Sequence, residues 1–349
     1  MPVAVAPVSG RRDRAAAAAH PARPAPFPPA VARGRMGRPR PAHRPRHPRR
    51  DPPGDRPRHP PAHARAARRR SFLSRRGDLM NTETAIYSLS QGTLPLLISI
   101  PHLGTELPPE FEADMRDPAP LKQDTDWHLD HLYGFAASLG ASILKAKVSR
   151  YVIDLNRPPS GESLYPGQTT TGLCPTETFR GEPLYGRDGW PDAAEQARRL
   201  SGYWQPYHDA LRAELDRLKA AHGAVLLWDA HSIASVLPRL FDGKLPDLNF
   251  GTASGSSCTP AIIDSVVELA RASSFSHVLN GRFKGGYITR HYGSPDDGIH
   301  AIQLEMGQDL YMREEPPFTY LEHKATTVQP LLQKMLLAAL DSLARTTTA

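Results

Sequence analysis

Short apolar runs alternate with amphipathic stretches along most of the chain, and each predicts one element of secondary structure. The run at 94–100 (LPLLISI) is continuous and apolar, as expected of a strand that is buried on both faces. Residues 192–221 show apolar positions at helical spacing and predict a long amphipathic helix. Further strands are predicted at 141–148, 151–155, 224–228, 247–252, 277–280 and 299–306, and further helices from Asp124, at 260–272 and at 319–345.

Strands that alternate with helices predict the α/β class, here a three-layer α/β/α sandwich with a mostly parallel, mixed central sheet. Ligands bind at the carboxyl ends of the strands in such sheets. Three polar residues are placed there by the pattern, namely His102, His231 and Glu305. Residues 156–190 are rich in Gly, Pro and Thr and predict a long loop, which in a compact domain is usually functional or disordered.

Charge divides the 349 residues into two unlike parts. Residues 1–79 hold 20 Arg, four Asp and 16 of the 36 Pro, whereas residues 80–349 hold 32 acidic and 23 basic side chains. The first part has no apolar periodicity and is predicted to be a disordered Arg/Pro/Ala-rich extension. We interpret it as a start assigned upstream of the true one at Met80; an arm that binds nucleic acid and a transit peptide are the alternatives.

The remaining residues, 80–349, are long enough for a single catalytic domain with a large core. No apolar run approaches the roughly 20 residues of a membrane span. The two cysteines, Cys174 and Cys258, form no metal or disulfide motif, which fits a reducing cytoplasm.

A metal site is the main chemical hypothesis. His102 and His231 each follow an apolar strand, and although a single such His is commonly structural, two of them favour metal binding. A hydrolytic zinc needs about three protein ligands and one open position. The third ligand is expected to be a carboxylate, from Asp126 in the first turn of the predicted helix or from Glu106. Asp229 could orient His231.

Glu305 is the candidate general base. Alternation along the strand places Gln303 and Glu305 on one face, with Ile302 and Leu304 on the other. The carboxylate could lie in water at a sheet edge, but beside zinc it would accept a proton from water and pass it to the leaving amine.

Arginines near turns and strand ends suggest that an acidic domain binds anions. Arg157 offers a planar fork that matches a carboxylate, and Asn156 beside it adds a donor. Arg150 and Arg290 add positive charge. An acidic substrate with two carboxylates would use two such groups.

Eight segments between about Leu94 and Met312 together resemble the N-formylglutamate deformylase (amidohydrolase) family. They are SIPHLG at 99–104, DTDWHLDHLY at 124–133, SRYVIDLNRP at 149–158, TGLCPTETFRGEPLY at 171–185, LLWDAHS at 226–232, LNFGTASGSSC at 248–258, GGYITRHYG at 285–293 and QLEMGQDLYM at 303–312. Each pattern is modest by itself, but the ordered set is specific. Residues before Met80 match nothing in the family.

The family is distantly similar to zinc carboxypeptidases, which implies a zinc-exopeptidase-like fold. The resemblance implies that His102 and His231 hold one Zn²⁺ per chain, that Asn156 and Arg157 bind the substrate carboxylate, and that Glu305 is the base. Carboxypeptidases use His-x-x-Glu, whereas Glu106 follows His102 by one residue more. Asp126 is therefore preferred as the third ligand, with Glu106 as the alternative.

The reaction implied is hydrolysis of N-formyl-L-glutamate to formate and L-glutamate, as in bacterial histidine degradation. Arg157 and Arg290 would bind the two carboxylates, and Arg150 would help zinc to stabilise the oxyanion. The expected partner is a small acidic N-formyl amino acid, with no membrane and no nucleic acid for the folded domain. The alternatives are a related zinc amidohydrolase or carboxypeptidase with another substrate, and a nucleic-acid binder that acts through residues 1–79.

Overall fold

An eight-stranded sheet forms the centre of the computed structural model, which describes residues 80–116 and 122–347. Its strand order is β1-β2-β4-β3-β5-β8-β6-β7. The strands are β1 Asn81–Glu83, β2 Tyr87–Ser90, β3 Leu96–Ile100, β4 Ser142–Ala146, β5 Val225–Ile233, β6 Leu248–Gly251, β7 His277–Leu279 and β8 Ile299–Gly307.

The central strands β4, β3, β5 and β8 are all parallel to their neighbours in that group. Antiparallel pairing occurs towards the edges, where β1 pairs with β2, β2 with β4, and β6 with β8. The sheet is therefore mixed and mostly parallel, as the sequence predicts. Parallel strands end at the same edge of a sheet. The residues that end or follow β3, β5 and β8 therefore lie close together.

Helices cover both faces of this sheet. They are α1 Pro109–Glu112, α2 Leu129–Leu132, α3 Phe135–Leu139, α4 Ala193–Arg199, α5 Gln205–His222, α6 Pro260–Arg271, α7 Tyr287–Tyr292 and α8 Glu322–Thr347. One face packs against α2, α3, α6 and α8, and the other against α5 and α7. Leu96 and Ile98 belong to the first core and Leu97 to the second, which explains why the strand is apolar at successive positions.

Two predicted elements differ most from the structure. Residues 151–155 form turns and not a strand. The helix predicted from Asp124 begins only at Leu129, because His128 adopts a left-handed conformation with φ of 61°. Asp126 consequently lies in the irregular segment before the helix, where its backbone amide donates to the carbonyl of His102 at 3.0 Å.

The expectations for residues 1–79 lie outside the described residues. Within the described ranges, none of the helices has both the length and the apolar character needed to cross a membrane. Cys174 and Cys258 are buried free thiols, and burial raises the pKa of Cys174 to about 11.

Candidate active site

Two buried histidines face each other at the carboxyl edge of the sheet. His102 follows β3 by two residues, and His231 lies within β5, which continues to Ile233 and is longer than predicted. Their side chains are only 5% and 2% exposed, and the ring centroids are 4.9 Å apart. The parallel pairing of β3 with β5 brings the two rings together.

Asp126 completes a group of three possible metal ligands. Its Oδ2 atom lies 3.1 Å from Nδ1 of His231 and 3.7 Å from Nδ1 of His102. The same oxygen accepts the backbone amide of Ser232 at 3.2 Å. Glu106, the alternative ligand, is exposed and lies outside the group. The described residues therefore place Asp126, and not Glu106, with the two histidines.

Each imidazole contacts a buried aspartate through its outer nitrogen. Nε2 of His102 lies 2.8 Å from Oδ1 of Asp154, and Nε2 of His231 lies 3.1 Å from Oδ1 of Asp229, the contact expected from the sequence. A carboxylate can only accept a hydrogen bond, so each of these aspartates can take the Nε2 hydrogen of its histidine when Nδ1 serves as the metal ligand. This carboxylate–histidine arrangement is typical of metal ligands, and the residues present fit a divalent cation.

Buried carboxylates and positive groups in this cluster shift the pKa values of one another. Burial opposes ionisation of His231, but Asp229 and Asp126 outweigh it and hold the pKa of the imidazole well above its usual range. Burial likewise opposes ionisation of Asp154, but His102 and Arg150 keep the pKa of that carboxyl well below normal. A site that binds positive charge this firmly at its centre suits a metal ion.

Glu305 lies beside His231, because β5 and β8 pair these two residues in register. The predicted alternation is correct: Ile302 and Leu304 belong to the apolar core on the opposite face. The strand is central and not at an edge. No donor among the described residues hydrogen-bonds the Glu305 carboxylate, and burial raises its pKa to about 8. A buried carboxylate with spare acceptor capacity is suited to proton transfer.

Arg150 joins this group from the loop after β4. Its Nη2 donates to Oδ2 of Asp154 at 2.6 Å, and its Nη1 lies 3.1 Å from Nδ1 of His102. Its guanidinium also lies over the ring of Phe179, 4.5 Å from the centroid. The side chain is thus fixed with its charge directed at the site.

A cavity of about 580 Å³, including its solvent-filled mouth, opens onto the histidines and Glu305. Arg157 lines it, with Nε donating to the carbonyl of Thr171 at 2.9 Å. Asn156 also lines it, but its side chain is held by two hydrogen bonds. Its Nδ2 donates to Asp229, and its Oδ1 accepts from the backbone N–H of Ile288 at 2.8 Å. These bonds favour a positioning role for Asn156 beside His231. A Cβ on Gly286 would come within 2.4 Å of the amide, so this close approach requires glycine.

Arg282 is the functional candidate that sequence reasoning missed. It lines the same cavity, half-buried, with Nη2 on the carbonyl of Thr169 at 3.0 Å. Burial lowers its pKa, and Arg157 nearby lowers it further. Arg290 instead donates to the carbonyl of Gly285 at 2.8 Å, outside the cavity lining. The signal was available in Gly281-Arg282-Phe283, close to the paired glycines of the family motif.

The fold and the site define an α/β protein with a buried, metal-capable His/Asp/His centre and a cavity that arginines make positive. Residues 94–312 match the family model described as N-formylglutamate amidohydrolase. The chain belongs to that family of hydrolases.

Two bacterial relatives support this assignment. The N-formylglutamate deformylase of Pseudomonas putida is 52% identical over 256 residues, which cover 73% of this chain and 96% of the relative. That of Pseudomonas aeruginosa is 50% identical and covers 72% of this chain and 94% of the relative.

Solved structures agree on the fold. The crystal structure of N-formylglutamate amidohydrolase from Ralstonia eutropha JMP134 is 26% identical, with a TM-score of 0.62 over 74% of this chain and 98% of that one. A gene product of Agrobacterium tumefaciens, 18% identical, has a TM-score of 0.59 over 74% of this chain and 96% of that one. The likeness to zinc exopeptidases expected from the sequence stays a prediction.

Proposed function

We propose that this protein hydrolyses N-formyl-L-glutamate to formate and L-glutamate with one zinc ion per chain. The carrying observation is the Glu305 carboxylate, which accepts no hydrogen bond from the described residues and lies beside the His102–Asp126–His231 group in a cavity lined by arginines. The named activity of the two Pseudomonas relatives, at 52% and 50% identity, supports the substrate.

Zinc is the proposed metal because two imidazoles and one carboxylate are a donor set typical of hydrolytic zinc sites. His102 and His231 would bind it through Nδ1, and Asp126 through a carboxylate oxygen. When bound, zinc would polarise the formyl oxygen and lower the pKa of a water molecule towards about 7.

Glu305 would move the protons of the reaction. Its carboxylate accepts a proton from the attacking water and then gives it to the nitrogen of the departing glutamate. Arg150, fixed by Asp154 and packed on Phe179, would supply positive charge to the developing oxyanion. Burial of these groups strengthens each electrostatic interaction, because little water screens them.

Two arginines would bind the two carboxylates of the substrate. Arg157 is one, and we assign the second to Arg282, which lines the cavity, in preference to Arg290, which packs outside it. Asn156 borders the substrate while it orients Asp229 and His231. A place in bacterial histidine degradation and a cytoplasmic location are part of this proposal.

The test is an assay of formate release by the purified full chain, with metal analysis of the same sample. N-formylglutamate should be cleaved with one zinc per chain and faster than N-acetylglutamate, N-formylglutamine or a dipeptide. Preference for the acetyl substrate or the dipeptide would identify a related zinc amidohydrolase or carboxypeptidase. Full activity in a metal-free sample would reject the zinc mechanism.

A further inference from the structure

The long helical segment before β5 contains one π-helical turn, at Leu200–Trp204, where the amide of Gln205 donates to the carbonyl of Leu200. Its cause is local. Pro206 has no amide hydrogen to give to the carbonyl of Gly202, so the α-helical ladder is interrupted at this point. Such turns are rare and frequently lie at functional sites.

The turn decides which side chains share a face. Arg199 and Trp204 are five residues apart and in a continuous α-helix would point about 140° away from each other. A π-helical turn stacks residues i and i+5, which places the two side chains on the same side. His208 follows one α-helical turn later, and its ring stacks on that of Trp204 at a centroid distance of 3.7 Å. The three residues form one row, which we call the donor row.

Each member of the donor row gives one hydrogen bond to a backbone carbonyl of residues 152–157. The bonds run from Arg199 Nη1 to Val152 (3.0 Å), from Trp204 Nε1 to Arg157 (3.0 Å) and from His208 Nε2 to Leu155 (2.9 Å). All three side chains are buried. The carbonyls need such partners because this segment, without strand or helix, has no regular ladder to satisfy them.

The segment that the donor row holds carries three groups of the site. Asp154 contacts Nε2 of His102, and the side-chain nitrogen Nδ2 of Asn156 lies 2.9 Å from Nε2 of His231. Arg157 lines the cavity. Leu155 lies in the sequence between Asp154 and Asn156, whose side chains contact the imidazoles. The Arg157 carbonyl belongs to the residue that is proposed to bind the substrate.

We propose that the π-helical turn is a positioning device for the active site, in which Trp204 and His208 set the metal and substrate groups of residues 152–157. His208 acts on the metal side through Leu155, and Trp204 acts on the substrate side through Arg157. The substrate part of this inference rests on the proposed function, whereas the metal part rests only on the His102–Asp126–His231 group.

Three variants of the full chain separate these effects. His208→Phe keeps the stacked ring but removes the donor, and should weaken zinc binding, measured by competition with a chelator, by about three- to tenfold, the value of one neutral hydrogen bond. His208→Gln, which keeps a donor, should recover most of the affinity. Trp204→Phe should raise KM for N-formylglutamate by about three- to tenfold at nearly constant kcat and reduce discrimination against N-formylglutamine.

The control is Tyr203→Phe, which removes a hydrogen bond of 3.2 Å to Glu110 from the same turn and not one to residues 152–157. It should keep zinc affinity and selectivity. The proposal is overturned if His208→Phe and Trp204→Phe lower only the melting temperature and match Tyr203→Phe in zinc affinity and selectivity. If the wild type releases no formate, the proposed function fails, but the zinc affinities still decide the role of His208.

Discussion

Oδ1 of Asp154 lies 2.8 Å from Nε2 of His102, and both side chains are buried. Because a carboxylate can only accept, the contact places a ring hydrogen on Nε2, while Nδ1 lies 3.1 Å from Nη1 of Arg150 and 3.7 Å from Oδ2 of Asp126. Asp229 has the same relation to His231 on the next strand. The paired contacts explain how two histidines from different strands present the same nitrogen to one point.

Replacing either histidine should therefore remove the metal. We expect His102→Ala and His231→Ala to contain well below one zinc per chain after dialysis, because two remaining ligands bind the ion weakly. His300→Ala is the control, since His300 is buried at the other end of β8 and should leave zinc stoichiometric. Metal analysis of the folded variants checks this, and full zinc content in both test variants would remove the histidines from the site.

The arginine assignment predicts a difference between two similar substitutions. Arg282→Ala should raise KM for N-formylglutamate by about 10- to 150-fold, the cost of about 1.5–3 kcal/mol for a charge-assisted contact, and should lower selectivity over N-formylglutamine. Arg290→Ala, outside the cavity lining, should change KM far less. The reverse order of effects would restore Arg290, as the sequence suggested.

The choice between these two arginines could not be predicted from the sequence. The positions of His102, His231 and Glu305 follow from strand periodicity, because parallel strands bring the residues that end or follow them to one edge. No such rule applies to Arg282 and Arg290, which lie before and within a short helix, α7, that the pattern did not predict.

The same limit applies to residues 151–155. Their β-branched and apolar side chains predicted a strand, but side chains from the donor row bind their carbonyls and no neighbouring strand does. A tertiary contact of this kind, between residues about 50 positions apart, leaves no local signal in the sequence.

His208 predicts a dependence of stability on pH. Burial lowers the pKa of this imidazole to about 3, against about 6.5 in an unfolded chain. Below pH 6.5 the unfolded state takes up a proton that the folded state refuses, so stability falls with pH by about 1.4 kcal/mol per unit down to about pH 3. The stability that depends on neutral His208 is fully present above pH 6.5.

The measurement compares the wild type with His208→Phe, both freed of metal by a chelator so that zinc loss does not interfere. Between pH 7 and 5 the free energy of unfolding of the wild type should fall by about 2 kcal/mol more than that of the variant. Urea unfolding at the two pH values gives both numbers. Parallel losses would show that His208 can take up a proton in the folded protein.

Glu305→Gln separates chemistry from binding most sharply. Gln keeps the size of the side chain but cannot accept a proton, and Glu305 lies outside the three-ligand group. The variant should fold, retain about one zinc and bind substrate with nearly normal affinity, while kcat falls by about 10²- to 10⁴-fold.

Burial raises the pKa of the Glu305 carboxyl to about 8, and a cation beside it would lower that pKa. Because the base acts only when ionised, wild-type activity should rise with pH through this pKa, and the variant should lose that limb of the profile. Loss of zinc together with activity would make Glu305 a ligand, and a decrease in kcat of less than tenfold would move the role of base to another carboxylate.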